Sequence, residues 1–134
     1  MDNGTNSTAA MMGLMMATLA DNLREQADRL AALDNVEHGD PVAVLAAQMA
    51  PPFAEEMTAL ADKVQQAGKT ATGEALADMA DAWHSLAARR AMPILRVFEG
   101  IGRSEGGEAR AMVADAAAFV LLASEQMPGA GGSQ

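Results

Sequence analysis

A chain of 134 residues with 18 acidic against 9 basic side chains carries a net charge of −9, which opposes direct binding to nucleic-acid phosphates and to anionic lipid. The absence of cysteine excludes disulfides, thiolate catalysis and cysteine-based metal sites. Half of the residues are apolar, yet there are three Phe, one Trp and no Tyr, a composition that favours helix over sheet in one domain burying roughly two-thirds of its unfolded surface.

The opening segment, Met1 to Thr8, is polar and carries an acid but neither Lys nor Arg, unlike the n-region of a signal peptide. Residues 1–8 are expected to be flexible, 9–127 to form one helical domain, and 128–134 to be a disordered tail. The first helix is predicted from Ser7 or Thr8, either able to cap it, to about Asp34. Met12, Met16, Leu19, Leu23, Gln26, Leu30 and Leu33 recur at spacings of 4 and 3, the 3.5-residue repeat of helices that pack at shallow angles. Gln26 alone interrupts that seam.

Asp40-Pro41 marks the second helix start, since Asp caps and Pro suits the first helical position. Val42, Leu45 and Met49 form its first face, and Pro51-Pro52 is expected to break or kink the arm, because proline cannot donate to the preceding turn. Phe53, Met57, Leu60 and Val64 continue the core face as far as Gly68. Thr70 or Thr72 opens a third helix with Leu76, Met79, Ala80, Trp83, Leu86 and Ala87 inward. Arg89 and Arg90 favour its C-terminus, and a short extra helix follows Pro93. The glycine-rich link Gly100 to Gly107 leads to the last helix, opened by Ser104 or Glu105 and closed by Met127-Pro128-Gly129. The expected fold is an all-α antiparallel four-helix bundle.

Two stretches, Ala9 to Ala20 and Ala111 to Ala123, are apolar all the way round a helix. Neither reaches the roughly 20 residues that span a bilayer, so no membrane span is expected and the chain is read as a soluble, cytoplasmic protein. In an up-down-up-down path both stretches fall at one end, and one core cannot receive every direction of both helices. Leu14, Met15, Phe119, Leu121 and Leu122 are therefore the expected interface of a homodimer. Gln26 and Arg90 both lie on inward faces near one end and are expected to share a polar core cluster with Glu25 or Glu37 in reach.

The run Ala82-Trp83-His84-Ser85-Leu86 resembles the histidine-phosphotransfer family, helical bundles whose phosphoacceptor His lies in a His-x-Leu-Lys-Gly pattern. The resemblance implies a phosphoacceptor role for His84, but Ala87 and Ala88 stand where the family has Lys and Gly, so the cation beside the phosphate is missing. Asp81-x-x-His84 is similar to half of a di-iron ligand set, although Asp81 points away from the core. Met11, Met12, Met15 and Met16 suit soft-metal coordination in type and adaptable packing in context. Gly100, Gly102, Gly106 and Gly107 fit no nucleotide fingerprint, and His38 is a turn residue. No nucleophile stands with a base, so no enzyme activity, cofactor or metal site is expected. The reading is a non-catalytic, self-associating protein that binds another macromolecule, with an acidic inhibitor or adaptor on a basic protein surface as its specific form; a phosphotransfer or small-molecule bundle using His84 is the alternative.

Overall fold

The computed structural model describes residues 2–35, 40–70, 72–101 and 105–127, with the backbone alone for 2–10, 12, 34 and 35. His38, Glu37, Ser104 and the tail 128–134 lie outside the described residues. The described chain is all-helical: α1 (Asp2–Ala31), a 3-10 turn (Ala32–Asn35), α2 (Pro41–Thr70), α3 (Gly73–Leu86), a π-helical turn (Ala87–Ala91), α4 (Met92–Glu99) and α5 (Gly107–Gln126). The helix α1 begins at Asp2, ahead of the expected Ser7 or Thr8.

Caps explain most of the boundaries. The Asp40 carboxylate accepts from Val42 N at 3.0 Å and Ala43 N at 3.2 Å, satisfying two of the donors that open α2. Its other oxygen accepts from Gly106 N at 3.1 Å, so one side chain holds the starts of both α2 and α5. Thr72, not Thr70, caps α3 by accepting from Ala75 N at 3.1 Å. Gly106 is the N-cap of α5 at φ 88°, a left-handed conformation that an L side chain adopts only with strain.

The expected break at Pro51-Pro52 is absent: α2 runs through both prolines. Each ring removes one donor, leaving the carbonyls of Ala47 and Gln48 without their usual partners. Gln48 and Pro51 are exposed, so water can reach this side of the helix, while Ala50, Phe53 and Ala54 hold the other side in the core. Continuity then decides the buried face. The heptad of Val64, Leu60, Met57 and Phe53 extends backwards as Ala50, Ala46 and Ala43, all buried, whereas the expected Val42, Leu45 and Met49 are only half-buried.

The expected helix end at Arg89-Arg90 is also overturned. The chain stays helical from Gly73 to Glu99, because the wide turn Ala87–Ala91 brings Met92 N to the Ala87 carbonyl and accommodates Pro93 just beyond it. The short helix after Pro93 is thus a continuation of the third arm. Arg110 closes the following link: its guanidinium donates to the carbonyls of Phe98 at 2.9 Å, Ile101 at 3.1 Å and Glu105 at 3.2 Å, and lies 5.4 Å from the Phe98 ring centre.

Side-chain contacts tie the arms together. A side chain at Gly68 would come within 2.7 Å of Met16 Cβ, and Arg24 donates to Asp62 at 2.8 Å and Gln65 at 2.7 Å, which sets α1 along α2. Lys63 pairs with Asp78 at 2.8 Å across α2 and α3. The Trp83 indole donates to the Val120 carbonyl at 2.8 Å across α3 and α5. The α1 seam keeps the expected Leu23 and Leu30 in the core, but Ala20 and Ala27 are buried with them in place of the expected Leu19, Gln26 and Leu33, which flank the core half-buried. Small side chains at the centre let the helices approach closely, and the larger neighbours fill the sides.

Candidate functional site

The first candidate is the apolar surface of α1 and α5 that the core leaves uncovered. Gly13 and Met16 lie beside Gly68 at the end of α2, α3 follows directly, and Trp83 and His84 of α3 meet Val120 and Ser124 of α5. Four large apolar side chains stand in solvent there: Met11 (63% exposed), Leu14 (69%), Met15 (59%) and Leu122 (61%). The cause lies in α5, whose inward face is Ala109, Val113, Ala116, Ala117, Val120 and Ser124, leaving no core position for Leu122. Of the expected interface residues, Leu14, Met15 and Leu122 are exposed, whereas Phe119 and Leu121 are half-buried against the core. The Met12 side chain lies outside the described residues.

Phe119 stacks obliquely on Trp83, ring centres 6.0 Å apart, and also lines a cleft of about 370 Å³ between α1 and α5. Asn22, Glu25, Gln26 and Arg29 form one wall of that cleft, Met112 and Asp115 the other. This is where Gln26 resides. Arg90 is elsewhere, paired with Glu56 of α2, so the two share neither a partner nor a cleft and the expected polar core cluster does not form.

The second candidate is a valley between α2 and the third arm. Glu56 is gripped by consecutive arginines, Arg89 Nη1 at 2.8 Å from one carboxylate oxygen and Arg90 Nε at 2.5 Å from the other. Successive residues of an ordinary α-helix point about 100° apart, and the π-turn is the local geometry in which both reach one carboxylate. Burial raises the Glu56 pKa, but the hydrogen bonds and charges of Arg90 and Arg89 outweigh it and hold the carboxyl below its ordinary 4.5. Apolar grooves of about 240 Å³ lie on either side of this bridge. One has Leu60, Ala82 and Leu86 in its lining, the other Met49, Pro93, Ile94 and Val97, and Arg89 belongs to both.

His84 is half-buried, with Nδ1 2.7 Å from the buried Ser124 hydroxyl. No cluster of three or more potential metal-binding His, Asp or Glu occurs among the described residues, and none of their helices is long and apolar enough to cross a membrane. The sequence reading singled out Arg90 as an inward polar residue but gave it the wrong partner; it took Arg89 and Arg90 for a helix end and missed Glu56, whose only signal was its acidic place in the turn after Pro52. No protein-family model, curated protein or solved structure matches this chain.

Proposed function

We propose that the four helical arms form an antiparallel bundle which self-associates, as a dimer in its simplest form, and acts without catalysis by binding another macromolecule. The observation that carries this reading is the exposure of four large apolar side chains on α1 and α5, Met11, Leu14, Met15 and Leu122. Several large apolar side chains left exposed mark an association surface more readily than single ones do. Covering each Leu there is worth about 1.5 to 3 kcal/mol. Flexible methionines suit a surface that must adapt to its partner. The net charge of −9 suits a basic surface on a further protein partner and disfavours nucleic acid.

Light scattering coupled to size exclusion tests the reading. At tens of micromolar the wild type is expected to exceed the monomer mass of 13.8 kDa, and Leu14→Glu or Leu122→Glu to return it to that mass with helix content retained. A wild-type mass of 13.8 kDa refutes self-association.

A further inference from the structure

We infer that the valley between α2 and the third arm is the receptor for the outer face of α1 from a second copy of this chain, so that association is head-to-tail. The inference deepens the self-association reading and rests on it. Opposite the buried seam of α1, one exposed stripe carries Leu14, Thr18, Asp21, Glu25 and Asp28 at spacings of 4, 3, 4 and 3. It is an apolar knob followed by carboxylates.

The valley has the complementary order. It extends from Gln48 to Lys63 along α2, about 22 Å at the helical rise. Arg89 and Arg90 line it against Glu56 alone, while Lys63, also in its lining, is paired with Asp78, on a chain with twice as many acidic as basic residues. Glu56 neutralises part of the arginine pair, and the remaining positive charge faces outward beside an apolar floor. The spacing agrees as well. Val97, half in solvent in the groove of Met49 and Ile94, follows Arg90 by seven residues, and Asp21 follows Leu14 by the same number, about 10 Å in either helix, so the two match when the incoming α1 runs antiparallel to the third arm. Leu14 set into that groove therefore brings Asp21 to the arginines.

Knob and receptor lie on different surfaces, so every copy carries one of each. A contact of this kind closes into a ring or a reciprocal pair, or extends into a chain.

Complementation tests it. Leu14→Glu destroys the knob and leaves the valley; Val97→Asp, at an exposed position, destroys the valley and leaves the knob. Each variant alone is expected at 13.8 kDa, and an equimolar mixture at twice that mass, because one intact knob meets one intact valley. Circular dichroism of each variant establishes that it is folded. Asp21→Arg, exposed and outside both grooves, is expected to lower the mass of the wild-type assembly, and Asp21→Arg with Arg89→Asp in one chain to raise it again. A wild-type oligomer whose two variants stay monomeric on mixing overturns the head-to-tail assignment while leaving self-association standing; a monomeric wild type removes both.

Discussion

At Glu56 the balance between desolvation and two guanidinium partners settles on the ionised side. A carboxyl held below its ordinary pKa of 4.5 stabilises the fold above that pH, and the contribution disappears as pH falls through the folded-state value. Glu56→Gln is therefore expected to lower the urea midpoint at pH 7 and to differ less and less from wild type below pH 4.5. Both arginines are partly exposed, so each pair is worth no more than about 1 kcal/mol. A larger contribution is expected from Trp83, which is fully buried and donates to a carbonyl of α5. Trp83→Phe removes that donor and leaves a void, lowering stability by about 2 kcal/mol in chemical unfolding. His84→Gln is expected to retain association, since Gln offers a polar group to Ser124, and mass spectrometry after incubation with a small-molecule phosphodonor is expected to show no phosphate on His84.

Elements in this protein are set by where helices start and by what their interiors tolerate. Proline normally ends a helix because it removes a donor and crowds the preceding turn. Here Pro51 sits on the solvent side while Phe53 and Ala54 lie in the core, and tertiary burial holds the backbone helical. Pro51→Ala restores a donor to Ala47, and is expected to raise the urea midpoint; a lower midpoint would mean that the ring itself contributes to packing. The start of α5 is less forgiving. A methyl group at Gly106 would lie 2.6 Å from Arg110 Cβ and 2.7 Å from Val42 Cγ1 at a backbone angle unsuited to L residues, so Gly106→Ala is expected to unfold more easily than wild type. Asp40→Ala removes the cap of α2 together with the Gly106 anchor, a loss of about 1 to 2 kcal/mol measurable in the same experiment.

For the whole molecule, the expected signature is an oligomer whose mass responds to charge as well as to apolar surface. Copies bearing −9 each repel one another, whereas the carboxylates of α1 and the cations of the valley attract. Salt screens both, over about 10 Å at 0.1 M. Salt is expected to strengthen association more in Asp21→Arg than in the wild type, because in the variant it screens a repulsion between Arg and the valley arginines, whereas in the wild type it also screens the attraction of Asp21 to them. Sedimentation at 0.05 and 0.5 M salt reads the difference. Far-UV circular dichroism is expected to show helix throughout with no sheet contribution, as the element order requires.

What the sequence determined by itself was helical class and the main punctuation. Alanine-rich composition, Asp40-Pro41 and the choice of Thr70 or Thr72 as the cap of α3 act through local backbone chemistry, which a linear reading can follow. It also picked out Leu14, Met15 and Leu122 as apolar residues in excess of one core, because helical direction is a property of spacing. Tertiary structure alone decided the rest. Whether Pro51 and Pro93 end a helix depends on which side packs and whether a π-turn is available, and whether Ala or a larger residue occupies the seam depends on how closely the neighbouring helix approaches. The grip of Arg89 and Arg90 on Glu56 joins residues more than 30 positions apart through one widened turn, while Gln26 is drawn to another cleft. Such pairings arise from helix register between arms, a long-range property that no local pattern encodes.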